Sequence, residues 1–124
     1  MGNIAELHND LENFLDLLKR HYMYVDTEKR AERGYSSTLD QWDSVSDEGY
    51  KEISKSFNTY QEALKEREEN QEKMEAFGQK VAIHLLPLNG KPFVKDNILV
   101  SASIGGRTIT VEDTDKNTMR KVNV

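Results

Sequence analysis

The chain has 124 residues, of which 36% are hydrophobic and 31% charged, and its formal charge is −5. The charged share exceeds the usual quarter or so, and no apolar run approaches the roughly 20 residues of a membrane span. Those figures exclude a membrane-spanning, collagen-like or proline-rich chain and leave one domain's worth of polypeptide.

The charge is uneven. Residues 1–90 carry 11 basic and 18 acidic side chains, whereas residues 91–124 carry six and four. A net acid is a poor non-specific nucleic-acid binder, because that affinity comes from neutralising phosphates. There is no cysteine, so a disulfide framework, a zinc knuckle and a thiol nucleophile are all excluded. The first residues show no basic stretch followed by an apolar run, and Glu6 stands where a myristoylation signal needs Ser or Thr. The expectation is a cytoplasmic protein with no membrane partner.

The first element is an amphipathic helix over about 3–33. Asn3 and Glu6 fit a capping box. Ile4, Leu7, Leu11, Phe14, Leu18, Tyr22 and Val25 then recur at spacings of three and four, which places them on one stripe. Lys29, Arg30 and Arg33 suit the negative end of the helix dipole, and Gly34 is the expected stop. Residues 34–45 read as a connection, with Ser44 or Ser46 capping the next helix.

The second helix is long. Its stripe reads Tyr50, Ile53, Phe57, Tyr60 and Leu64, then in phase Arg67, Gln71, Met74, Gly78, Val81 and Leu85. Residues 65–73 contain no apolar side chain and leave two readings, a solvated continuous helix or a break near Asn70. High helix propensity and the Glu69–Lys73 spacing favour continuity. Pro87 sets the limit. On these bounds the second helix outreaches the first by about two turns or more.

The remainder is β-like. Asn89-Gly90 is a tight-turn signal, and Gly105-Gly106 is a second. A two-residue turn there sets Ile104 opposite Arg107, Ala102 opposite Ile109 and Val100 opposite Val111. One face is then Ile98, Val100, Ala102, Ile104, Ile109 and Val111, and the other is Ser101, Ser103, Thr108, Thr110 and Glu112. Pro92-Phe93-Val94 and Met119–Val124 are candidate flanking strands, and residues 81–86 are the nearest apolar cover. The predicted class is α+β: a coiled-coil-like helical hairpin over 1–86, and a β-hairpin or meander over 87–124 packed on the end of the second helix.

Chemistry-bearing patterns are sparse. His8 and His21 stand 13 residues apart, roughly 20 Å along a helix at 1.5 Å per residue, too far to share an ion. No nucleophile elbow or phosphate loop occurs. The reading is therefore no enzyme, no metal and no cofactor. Seven of the ten aromatic residues lie within residues 22–60, together with Lys29, Arg30 and Arg33. Aromatic and arginine side chains are the composition of interface hot spots, though rings also pack where helices meet. Arg107, at the hairpin tip, is a further candidate for meeting an anion.

The helix–Trp–helix layout resembles the small secreted helical hairpins of type VII export, which carry Trp-x-Gly at their turn. Here the tripeptide is Trp42-Asp43-Ser44, without the glycine. The export pattern Tyr-x-x-x-Asp/Glu is missing after the second helix, where a sheet follows instead. The likeness covers residues 3–85 and does not assign the chain to that family.

The functional expectation is a non-enzymatic binding protein that works as a homo-oligomer, because a second helix that outreaches the first leaves part of its own apolar stripe uncovered in a monomer. One alternative is a phage-type counter-defence protein that sequesters a small anionic or nucleotide ligand. Its cations would be Lys91, Lys95, Arg107, Arg120 and Lys121. Another is a viral or mobile-element structural or inhibitor protein. The candidate partner or ligand residues are Tyr24, Arg30, Arg33, Trp42, Lys95 and Arg107.

Overall fold

The computed structural model describes residues 4–124. Asn3, the expected cap, lies outside them. The elements are α1 (Ile4–Gln41), α2 (Asp47–Leu85), a 3-10 turn (Leu86–Leu88), β1 (Phe93–Lys95), β2 (Ile98–Ala102), β3 (Thr108–Asp113) and β4 (Thr118–Asn123). The fold is α+β, with two long helices followed by an antiparallel sheet in the order β1-β2-β3-β4.

Two helix boundaries differ from expectation. α1 does not stop at Gly34 but runs through it to Gln41. A glycine inside a helix costs about 1 kcal/mol, which packing beyond it offsets. Tyr35 supplies that packing, edge-on to Phe57 at 5.4 Å and stacked on Tyr60 at 6.2 Å between ring centroids. The connection shrinks to residues 42–46. α1 and α2 then have 38 and 39 residues, so the second helix does not outreach the first.

α2 starts where a serine cap was expected. The Ser46 hydroxyl accepts the Gly49 N–H at 3.0 Å, and Asp47 and Glu48 occupy the first turn. The helix is continuous across 65–73 and ends two residues before Pro87. Asn89 and Gly90 both take positive φ, and the Lys91 N–H closes the turn onto the Leu88 carbonyl at 3.0 Å.

The chain forms two compact units. One consists of residues up to Asp16 together with Lys73–Val124 and contains the whole sheet. Its core is apolar and closed. Leu7, Leu11 and Phe14 of α1 and Met74, Val81, Ala82 and Leu85 of α2 are buried with Val100, Ala102, Ile109, Val111 and Val122 of the sheet. The cover is thus two helix ends rather than residues 81–86 alone. Ile83 and Leu86 point outward instead. Gly78 is buried where a Cβ would overlap the Val124 side chain and come within 3.0 Å of Phe14 Cε1.

The central hairpin has the expected register, with Val100 opposite Val111, Ser101 opposite Thr110 and Ala102 opposite Ile109. The turn does not have the expected form. A two-residue turn of type I′ needs positive φ at both central positions and one of type II′ at the first, and of the pair only Gly106, the second, has it, at 69°. The Gly106 N–H instead donates to the Ser103 carbonyl at 2.8 Å, and Ser103 N–H to Thr108 O at 2.9 Å, so the loop is Ile104–Arg107. Ile104 therefore leaves the apolar face and is 84% exposed.

The other unit is Leu17–Glu72, the remaining lengths of α1 and α2 and the turn between them. Its only buried apolar side chains are Leu18 and Ala63. Its seam is polar. Arg67 Nε donates to Glu28 Oε2 at 2.8 Å, Arg67 Nη1 to Gln71 Oε1 at 2.8 Å, and buried Asn70 donates to the Leu17 carbonyl at 3.0 Å.

Candidate functional site

The Leu17–Glu72 unit exposes the large apolar side chains Leu39, Tyr50 and Phe57, and its two sides differ. α2 meets α1 along Ile53, Ser56, Tyr60, Ala63, Arg67 and Asn70, all buried or half-buried. That line is one step round the helix from the apolar stripe Tyr50, Phe57 and Leu64. At 100° per residue, Phe57 lies about 60° from Tyr60. The stripe therefore falls at the edge of the seam, where Tyr50 is 65% and Phe57 41% exposed. Leu39, one turn beyond Tyr35, extends it from α1 and is also exposed.

The other side is a hydroxyl-lined groove of about 470 Å³. Thr27, Gly34 and Thr38 line it from α1, and Ser56 and Thr59 line it from α2, with Arg30, Glu52 and Lys55 at its rim. Gly34 leaves room here, since no atom lies within 4 Å of where a Cβ would stand. The hydroxyls are engaged. Thr27, Thr38 and Thr59 donate to carbonyls one turn back, at 3.0, 2.8 and 3.0 Å. Arg30 is paired with Asp26.

Between the two sides sits the Arg67–Glu28 pair, whose side chains are 22% and 16% exposed. The hydrogen bond that Arg67 donates to Glu28 raises the Arg67 pKa above its ordinary value, against the opposing effect of burial. The guanidinium is thus held in the seam by two side-chain partners, Glu28 and Gln71.

In the sheet-containing unit, a groove of about 480 Å³ is lined by Glu6, Asp10, Lys80 and His84 among others, and His84 Nε2 lies 3.2 Å from Asp10 Oδ2. The exposed face of the sheet forms a second concavity of about 600 Å³, lined by Ser101, Ser103, Thr108, Thr110 and Lys121. Asp113 organises the β3–β4 loop. Its carboxylate accepts the Lys116 and Asp115 N–H groups and the Asn97 amide at 2.8–3.1 Å. The Lys116 bond above all holds its pKa below the ordinary 3.8. Among the described residues no group of three or more His, Asp or Glu could hold a metal ion. No helix there is long and apolar enough to cross a membrane.

The residues singled out from sequence do not converge on one point. Tyr24 is half-buried, Arg30 borders the hydroxyl groove, Arg33 is exposed, and Trp42 follows α1 at 39% exposure. Arg30 and Trp42 are 12 residues apart, roughly 18 Å along the helix. In the other unit, Lys95 is held by Glu12 at 3.1 Å, and Arg107 is exposed in the Ile104–Arg107 loop. Lys121 stands opposite Thr110 on the hydroxyl face, whereas Arg120 stands opposite Val111, whose side chain faces the core. The cations of the β part are split between faces.

Sequence reasoning missed the seam polar pair, buried Asn70 and the groove around Gly34. The arginine phase was visible, because Arg67 falls on the stripe. Glu28 and Asn70 carry no signal by type. The chain matches no family model, no curated protein and no solved structure.

Proposed function

We propose that the chain is a non-enzymatic binding protein that acts as a homo-oligomer through protein–protein contacts. The observation that carries this reading is the thin core of residues 17–72, where only Leu18 and Ala63 are buried apolar side chains. Helices owe most of their stability to a buried apolar face rather than to propensity. Here the contact line holds a charge pair, an asparagine and small residues beside only two larger apolar side chains, Ile53 and Tyr60, both half-buried, and buried polar contacts contribute little net stability. The apolar side chains that would build a core, Leu39, Tyr50 and Phe57, are exposed beside it. Association covers them and stabilises both helices at once.

Sedimentation equilibrium over a wide concentration range tests the reading. The expected result is a mass that is a multiple of 14.3 kDa and falls toward it on dilution. A strict monomer at the highest concentration would overturn it.

A further inference from the structure

The outer face of the sheet carries hydrogen-bonding groups that the fold leaves unused. We infer that the concavity there binds a small phosphorylated sugar, with Lys121 on the phosphate and the Ser101 and Thr110 hydroxyls on the sugar. This site does not rest on self-association.

Two cross-strand rows form its floor. Ser101 of β2 stands opposite Thr110 of β3, and Thr110 opposite Lys121 of β4. The next row is Ser103, Thr108 and Asn123. That second row is engaged in holding the loop. The Ser103 hydroxyl accepts the Arg107 and Thr108 N–H groups, each at 3.2 Å, and the Thr108 hydroxyl donates to Asn123 Oδ1 at 3.4 Å. The first row is not engaged. Among the described residues the Ser101 and Thr110 hydroxyls make no hydrogen bond and Lys121 makes no ion pair. At the rim, the Asn89 and Lys91 N–H groups close their turn, and the Gly90 N–H between them has no partner among the described residues.

Charge and size select the ligand. Lys121 is the only charged side chain that lines the concavity. Lys91 and Arg107 adjoin the lining residues Gly90 and Thr108 in the chain, and residues 85–95 and 97–111 hold no acid. The one carboxylate among the strand residues of this face, Glu112, stands a row away opposite Met119 and outside the concavity. An ammonium, hydroxyls and an amide N–H without a carboxylate suit an anion that carries further oxygens. Neighbouring strands about 4.8 Å apart set Ser101 roughly 10 Å from Lys121. A lone phosphate does not reach both ends of that row, whereas a pentose or hexose with a terminal phosphate does. The concavity of about 600 Å³ accommodates such a molecule. Ile104, which lines it at 84% exposure, offers an apolar wall to the C–H side of the sugar.

Amide NMR titrations at constant ionic strength test this with three probes: ribose 5-phosphate, inorganic phosphate and ribose. The expected result is saturable shifts centred on Gly90, Ser101, Thr110 and Lys121, with ribose 5-phosphate bound several-fold more tightly than inorganic phosphate, and no saturation by ribose. Lys121→Ala weakens the phosphate ester about tenfold or more, and Lys121→Arg retains most of the affinity. Thr110→Val weakens it several-fold. Lys116→Ala, in the loop at the opposite end of β3, leaves it unchanged. These side chains lie outside the core, so an unchanged spectrum elsewhere verifies each fold. No saturable shift with ribose 5-phosphate, inorganic phosphate bound as tightly as the ester, or equal losses in Lys116→Ala and Lys121→Ala would each overturn the assignment.

Discussion

Phe14 and Tyr35 lie on the same helix in opposite circumstances. Phe14 is wholly buried beside Gly78 and Val124, in a core to which two helices and three strands contribute. Tyr35 is half-buried against Phe57 and Tyr60, on a seam whose neighbouring positions include Glu28, Arg67 and Asn70. Helix propensity does not separate the two stretches. The sheet separates them, because it gives one pair of helix ends an apolar surface to cover. The other stretch has only its partner helix, and its apolar side chains remain at the surface. A continuous helix can thus be deeply buried in one unit and thinly covered in the other.

The sharpest way to break this comparison is a truncation in each unit. Phe14→Ala is expected to destabilise by about 3–5 kcal/mol, the usual cost of an aromatic removed from a closed core. Leu64→Ala, half-buried at the edge of the seam, costs about half as much or less in a dilute sample. Denaturant melts of both variants at one low concentration check the pair. Equal losses would mean that the two cores are equivalent.

The seam itself comes next. Glu28→Ala leaves the Arg67 cation without its carboxylate and is expected to cost about 1–3 kcal/mol, the lower end reflecting partial solvent access. Replacing both residues by leucine is expected to be neutral or stabilising, because two desolvated charges exchange for apolar contact. A double variant less stable than Glu28→Ala would show that the pair contributes more than its desolvation costs.

Two glycines give a smaller contrast of opposite sign. Gly34→Ala meets no atom within 4 Å and removes a helix-breaking residue, so it stabilises by about 1 kcal/mol. Gly78→Ala gains the same propensity but collides with Val124 and Phe14, so it is expected to destabilise by about 1–2 kcal/mol. Thermal melts of the two proteins decide it.

Much of the fold was legible because it rests on period and punctuation. Alternation fixed the β2–β3 register even though the turn was read wrongly: register follows from which side chains must be buried, whereas turn form depends on the φ of Gly105 and Gly106. Gly34 misled for the opposite reason. A local cost of about 1 kcal/mol marks a boundary only if nothing beyond it repays the cost. Tyr35 does so here, through rings that lie 22 and 25 positions further along the chain. The true seam of α2 was hidden by its composition, since Ser56, Ala63 and Asn70 are not residues that announce a contact line. The stripe Tyr50, Ile53, Phe57, Tyr60, Leu64 and Arg67 straddles that line: Ile53, Tyr60 and Arg67 lie on it, and Tyr50, Phe57 and Leu64 at its edge. The candidate residues failed to converge because aromatic and basic composition identifies a region, not a side of a helix.

The smallest expected effect lies in the β3–β4 loop. The folded-state pKa of Asp113 is lowered, so its charged form stabilises the loop above the ordinary carboxylate value, and that contribution is lost as pH falls through the lowered one. Carbon-detected titration of Asp113 should show this midpoint below 3.8, and Asp113→Asn should remove the corresponding acid sensitivity of the loop amides. An unshifted midpoint would contradict the hydrogen-bonded loop.

The proposed dependence of residues 17–72 on association is tested most directly by amide hydrogen exchange at low and high protein concentration. The account predicts that protection in residues 17–72 rises with concentration, while protection of Val81–Leu85 and of β2 and β3 stays constant and high. Equal protection in both units, unchanged on dilution, would contradict it.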